Sequence, residues 1–112
     1  MRTPEGYKEA YRKFIEDGWH GLPFPQAWGG QGLPWSVAIP VWEMWHSANF
    51  AFCLCPILTQ AGVELLLHHG TAEQRARYLP KLVSGEWTGT MCLTEPHCGT
   101  DLGMLRTRAE PQ

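Results

Sequence analysis

The groups best able to do chemistry lie together near the end of the chain, in Met91-Cys92-Leu93-Thr94-Glu95-Pro96-His97-Cys98-Gly99-Thr100-Asp101. Thr94 and Thr100 offer hydroxyls that can donate to a phosphate or carbonyl oxygen. Gly99 can adopt the positive φ angle that turns successive N–H groups to one side and forms an anion-binding nest. A phosphorylated ligand suits such a set. A capped turn that binds nothing uses the same residue types, and both readings stand at this point. Glu95 is the one carboxylate in position to act as a general base. No second titratable group is placed by sequence to work with it, so we read it as a carboxylate that shapes the turn.

Other candidate groups reduce to structure. His20, His46, His68, His69 and His97 form no i, i+4 ligand pair with a carboxylate or cysteine nearby, so no metal is expected. His68-His69 falls at a helix C-terminus, where an imidazolium interacts well with the helix dipole. Gly29-Gly30-Gln31-Gly32 lacks the Lys-Ser/Thr ending of a phosphate loop and opens no βαβ unit, which makes it a structural turn. Trp42, Trp45, Phe50 and Phe52 are expected to be helix-packing core, not a stacking platform for bases. Cys53, Cys55, Cys92 and Cys98 have neither zinc spacing nor the density of a disulfide scaffold, and reduced thiols are expected.

The elements that must position the Thr94–Thr100 segment are mainly helical. Thr3 and Pro4 suit a helix start, Tyr7, Tyr11, Phe14 and Ile15 fall on one face, and Gly18 suits the stop. Residues from Trp19 to Pro34 carry too many Gly and Pro for regular structure and form a shaped loop. A second helix is predicted from Ser36, with Val37, Val41, Met44, Trp45 and Ala48 inward and Pro40 kinking its first turn. A third follows Pro56, with Ile57, Ala61, Leu65 and Leu66 inward, and Gly70 closes it. Thr71 and Gln74 make a capping box for a fourth helix through Tyr78, which Pro80 breaks or restarts and Ser84-Gly85 ends. The alternation from Trp87 to Leu93 predicts a short strand, with Leu105–Ala109 as its one later partner. A two-stranded ribbon is marginal alone. The fold class expected is therefore mainly α, a helical domain over residues 1–86 followed at 87–112 by the first strand or two of a truncated β domain. Such a chain reads as a fragment.

Composition narrows the class. A chain of 112 residues, 44% hydrophobic and 18% charged, can bury one modest core. A net charge of −2 without a Lys/Arg cluster speaks against a nucleic-acid surface. No apolar run approaches about 18 residues, so no membrane span is expected. Met1-Arg2-Thr3-Pro4-Glu5-Gly6 has no apolar h-region, so no signal peptide is expected and a cytoplasmic location follows.

The segment Cys92–Asp101 resembles the flavin-binding signature of the acyl-CoA dehydrogenases, a strand ending in Thr-Glu-Pro-x-x-Gly-Ser/Thr-Asp. Supporting blocks are Gly29-Gly30-Gln31-Gly32-Leu33, His69-Gly70-Thr71-Ala72-Glu73-Gln74, Tyr78-Leu79-Pro80, Ser84-Gly85-Glu86-Trp87 and Arg106-Thr107-Arg108-Ala109-Glu110. They stand in the family's order and cover nearly the whole chain. The wording from Trp87 to Pro96 looks most like the larger bacterial branch, which includes methylthiopropanoyl-CoA dehydrogenases. The resemblance implies a helical N-terminal domain, a middle β domain and a C-terminal four-helix domain around FAD. It implies that Met91, Leu93, Thr94, Gly99 and Thr100 bind the cofactor, Leu93 and Thr94 at the flavin ring and Gly99 and Thr100 at the pyrophosphate. Thr100 would also touch the acyl-CoA substrate. The implied reaction is α,β-dehydrogenation of an acyl-CoA in fatty acid metabolism, with electrons passed to an electron-transfer flavoprotein and a homo-oligomeric enzyme.

Cys98 and Met104 stand where the family has smaller residues. No residue matches the family's catalytic glutamate, which belongs to its C-terminal domain, so no catalytic residue is expected in this chain and the isolated chain should be inactive. Two further classes compete with a dehydrogenase fragment. One is a non-catalytic helical interaction module that keeps the family's N-terminal domain, and the other is a plain helical domain with an anion-binding turn.

Overall fold

The computed structural model describes residues 2–111. Three helices build the body: α1 (Tyr7–Glu16), α2 (Trp35–His69) and α3 (Ala72–Val83). Single 3-10 turns at Trp19–Gly21, Gln26–Trp28 and Leu102–Met104 complete the regular structure.

Helix α1 places Tyr7, Tyr11, Phe14 and Ile15 on one face, against Phe52, Cys53, Trp19 and Trp45. It starts later than Thr3-Pro4 predicts. Gly6 adopts φ 79°, which no right-handed helix can pass through, so the first helical residue is Tyr7. Gly18, at φ 77°, ends it as predicted, its N–H donating to Ile15 O at 2.9 Å. The Tyr11 hydroxyl donates to Gly85 O at 3.2 Å and ties α1 to the end of α3.

The glycine loop is a structural turn, as predicted. Every main-chain N–H from Gly29 to Leu33 already donates to a carbonyl, those of Gln31, Gly32 and Leu33 to Gly21, Phe24 and Leu22 at 2.8–2.9 Å. None is left for a phosphate. The loop presses Phe24 into the core so closely that a Cβ on Gly30 would overlap the Phe24 carbonyl.

Helix α2 departs from the sequence reading in two ways. Two helices meeting at Pro56 are predicted. Instead the break falls at Asn49 (φ −158°, ψ 89°), whose Oδ1 accepts from Phe52 N at 3.0 Å and caps the second half. Pro40 and Pro56 lie inside the helix. The inward face also differs. Phe52, Cys53, Pro56, Thr59, Gln60 and Val63 are buried, whereas Ile57 and Leu65 are 38% and 61% exposed and Ala61 is exposed. In the first half Ala38 is buried, Trp45 joins the core, and Val37, Met44 and Ala48 face outward. Of the predicted aromatic core, Trp45 and Phe52 pack inside and Phe50 is exposed. A helix apolar on every side has no face that periodicity can single out, so its neighbours choose. Its length and apolarity also qualify what the sequence implies about membranes. One 18-residue window has a mean hydropathy of 1.8, enough by length and composition to cross a bilayer. The core helix of a globular domain passes the same test, and α2 buries one face against α1 and α3.

Helix α3 opens on the predicted capping box: Thr71 Oγ1 accepts from Gln74 N at 3.2 Å and Gln74 Oε1 from Thr71 N at 2.8 Å. It runs through Pro80 to Val83, and Gly85 (φ 71°) closes it. Leu79 and Val83 join Phe24 and Val63 in a second core cluster. Burying each such side chain contributes about 1.5–3 kcal/mol. His20 stands between the two clusters, its ring 6.3 Å from Phe14 and 6.0 Å from Phe24.

After α3 the chain leaves the body extended, and the predicted strand at Trp87–Leu93 does not form. Among the described residues there is no strand, only one antiparallel bridge between Glu95 and Cys98. A strand exists through its hydrogen-bonded partner, and Leu105–Ala109 does not pair with this segment. Where the first strands of a β domain are expected, residues 87–111 form an extended segment and a turn. The radius of gyration, 15.6 Å, exceeds the roughly 13 Å of a compact domain this long.

Candidate functional site

The extended segment is held to the helical body at two points. Trp87 N donates to Lys81 O at 3.0 Å, and Gly89 N donates to the Thr59 hydroxyl at 3.0 Å. Beyond Gly89, the N–H groups of Thr90 to Thr94 make no hydrogen bond among the described residues. Met91 is 58% exposed, Thr94 is exposed and Leu93 is half-buried.

Glu95 then closes a turn. Its N–H donates to Cys98 O at 3.0 Å and its carbonyl accepts from Cys98 N at 3.1 Å. Its carboxylate gathers the returning tail, accepting from Thr107 N at 2.8 Å, Arg106 N at 3.1 Å and the Thr107 hydroxyl. The Thr107 hydroxyl, then the Thr107 and Arg106 N–H groups, hold the Glu95 carboxyl below its ordinary value. A carboxylate kept ionised by donors that fill its lone pairs is a poor general base, and the turn-shaping role read from sequence is what the geometry shows.

The far end of this loop carries the other candidates. Asp101 Oδ1 accepts from Gly103 N at 3.2 Å and starts the Leu102–Met104 turn, which returns the chain toward Glu95. Gly99 and Thr100 are exposed between these two closures. One expectation fails here. Gly99 is absent from the positive-φ glycines, which among the described residues are Gly6, Gly18, Gly29, Gly32 and Gly85, so no nest is formed at this position. The Glu95–Cys98 bridge and the Asp101 cap already close the loop on either side and leave Gly99 free of any demand for a reversed φ. A Cβ added at Gly99 would meet nothing within 4 Å, so the main chain is open to close approach from outside.

The structure also brings together a His, a Cys and a carboxylate that sequence spacing did not pair. Ligand atoms of Glu95, His97 and Cys98 lie within 4.8 Å of one another. His97 Nε2 lies 3.0 Å from Met104 O and 3.4 Å from Glu95 Oε2, so the ring nitrogen nearest the trio already faces two acceptors to which an N–H can donate. We read the trio as a hydrogen-bonded turn.

Thr59 and Gln60 escaped the sequence reading, and His20 was weighed there only as a metal ligand. Gln60 Nε2 donates to His20 O at 3.5 Å, and His20 Nε2 lies 3.0 Å from Leu82 O. The one signal in the sequence was a polar pair, Thr59-Gln60, directly after the apolar stretch from Phe50 to Leu58. Four free thiols are present, Cys53 and Cys98 buried, Cys55 half-buried and Cys92 exposed.

The helical body thus delivers an extended segment and a hydroxyl-bearing turn at its edge. The family profile described as acyl-CoA dehydrogenase, N-terminal domain, matches residues 2–86. The chain is 47% identical over 109 residues to the 3-methylmercaptopropionyl-CoA dehydrogenase of Ruegeria pomeroyi, covering 97% of this chain and 18% of that protein. It is 37% identical over 111 residues to a butyryl-CoA dehydrogenase of Syntrophomonas wolfei, covering 97% of this chain and 18% of that protein. It is 33% identical over 109 residues to an acyl-CoA dehydrogenase of Bacillus subtilis, covering 96% of this chain and 29% of that protein. The chain belongs to the acyl-CoA dehydrogenase family. It spans less than a third of the length of these relatives.

Proposed function

We propose that these 112 residues are the helical domain, residues 1–86, and the first flavin-contacting segment, residues 87–112, of an FAD-dependent acyl-CoA dehydrogenase. One observation carries this reading. Similarity to the Ruegeria pomeroyi enzyme extends over 97% of the chain and so takes in the whole Met91–Thr100 segment beyond the helical domain.

The residues present fit the cofactor. Thr94 and Thr100 are exposed hydroxyls, the N–H groups of Thr90–Thr94 are free donors, and Gly99 leaves its backbone uncovered. Met91, Leu93 and Thr94 would line the flavin ring, while Gly99 and Thr100 would meet the pyrophosphate and Thr100 the acyl-CoA. Bound FAD supplies the electron acceptor for α,β-dehydrogenation of an acyl-CoA thioester. This chain's residues orient that cofactor with hydroxyl and N–H donors, and Glu95 holds the loop that carries them. The carboxylate that removes the α-proton belongs to the part of such enzymes that these residues do not span. The Ruegeria relative's name points to a methylmercaptopropionyl-CoA-like substrate. An electron-transfer flavoprotein as electron acceptor, a homo-oligomeric enzyme and a cytoplasmic location complete the proposal.

The test replaces the matching segment of the Ruegeria pomeroyi dehydrogenase with residues 1–112. A yellow protein, bleached by that enzyme's CoA substrate, is expected. A folded but colourless graft would sink the proposal and leave a helical interaction module as the better account. The isolated chain should bind FAD weakly, because the rest of the enzyme supplies most of the burial on which affinity depends.

A further inference from the structure

We infer that Thr59, in the middle of α2, is a positioning residue for the flavin-contacting segment, acting through the main chain of Gly89. The inference rests on the flavin reading of Met91–Thr100 given above.

Thr59 is fully buried. Its hydroxyl donates to Cys55 O one turn back at 3.2 Å, which uses its only hydrogen and leaves its oxygen as a directed acceptor. That acceptor takes Gly89 N at 3.0 Å, across 30 residues of sequence. The approach leaves little room for a side chain. A Cβ on Gly89 would stand 3.2 Å from Thr59 Cα and 3.3 Å from Leu58 O, both helix backbone, so the extended segment would have to shift outward by a few tenths of an ångström. A hydroxyl at 59 and no side chain at 89 therefore make one device.

Its consequence is one of phase. In an extended chain alternate N–H groups point to the same side. The Trp87 and Gly89 N–H groups both turn toward the helical body, to Lys81 O and to Thr59 Oγ1. These two bonds set which side of the segment faces inward. Met91, Leu93 and Thr94 follow two, four and five residues later with no hydrogen bond of their own among the described residues. A slip of one residue would invert all three, and among the described residues the Thr59–Gly89 bond is the last hydrogen bond from the segment to the helical body that opposes it.

The test compares Thr59→Val, which keeps the branched shape and loses the acceptor, with Thr59→Ser, which keeps the acceptor. Amide hydrogen exchange at Gly89 in the 112-residue chain should accelerate about tenfold in Thr59→Val, the upper range of one buried hydrogen bond, and stay within about twofold of the parent in Thr59→Ser. Equal Gly89 exchange in parent and Thr59→Val overturns the clamp. If Thr59→Val fails to fold, Gly89→Ala acts from the other side. An amide at position 89 that stays as protected in Gly89→Ala as in the parent would equally overturn the clamp. In the grafted dehydrogenase, Thr59→Val should raise the Kd for FAD about tenfold and Thr59→Ser should restore it. An unchanged Kd with accelerated Gly89 exchange would show a clamp without a role in the flavin site. A colourless parent graft removes the flavin reading itself, and Gly89 exchange then decides alone whether the clamp exists.

Discussion

His20 should make this domain sensitive to mild acid. Its ring is buried between Phe14 and Phe24, Nε2 faces Leu82 O at 3.0 Å, and Nδ1 is buried with no hydrogen-bond partner among the described residues. The neutral ring with its proton on Nε2 satisfies Leu82. A second proton would place a charge beside two phenyl rings with no carboxylate in contact. Burial pushes the pKa of His20 below its ordinary 6.5, and the bond to Leu82 opposes this only in part. The sign follows from linkage. Below about pH 6.5 the unfolded chain takes up a proton at His20 that the folded chain refuses, so stability is full above that value and falls beneath it. Over the range in which the folded site stays neutral, the slope approaches about 1.4 kcal/mol per pH unit. Each 1 kcal/mol corresponds to roughly 4–8 °C in melting temperature for a domain near this size. Melting curves at pH 7.5, 6.5 and 5.5 for the parent chain and for His20→Gln provide the assay. Gln can donate to Leu82 O and cannot be protonated. The parent should lose more stability than His20→Gln between pH 6.5 and 5.5, up to about 1 kcal/mol where the folded ring stays neutral throughout. Parallel losses in the two proteins would refute the reasoning.

Other predictions follow from single contacts. Gly30→Ala puts a Cβ into the Phe24 carbonyl and should cost more than about 2 kcal/mol or abolish cooperative melting. A change under about 0.5 kcal/mol would mean that the loop is looser than described. Thr71→Ala removes the oxygen that accepts from Gln74 N and should cost about 1 kcal/mol, measured by urea denaturation. Gly99→Ala meets open space, so the melting temperature of the chain should not move, while FAD retention by the grafted dehydrogenase should fall. Equal retention would remove Gly99 from the proposed contacts.

Local and modular features were legible in the amino-acid order alone. The Thr71–Gln74 capping box, the Gly18 stop and the one-sided apolar face of α1 are set by groups within one or two turns of each other, and each formed as read. The glycine loop likewise declared itself a turn, because its spacing fits no phosphate loop. The ordered blocks from Gly29 to Glu110 identified the family without any structure. Packing between distant elements settled the rest. Helix α2 is apolar all round, and only α1, α3 and the Phe24 loop selected Phe52, Cys53, Thr59 and Val63 as its inner face. The break at Asn49 reflects an Asn side chain that caps Phe52, where proline chemistry pointed to Pro56. Trp87–Leu93 has the alternation of a strand, yet a strand is completed by hydrogen bonds to another strand, and the described residues offer only the Thr59 hydroxyl and one α3 carbonyl. Residue types made Thr94, Gly99 and Thr100 the candidates for the proposed binding edge, and the segment that carries them is tied to the body by a bond between residues 59 and 89 that no local pattern encodes.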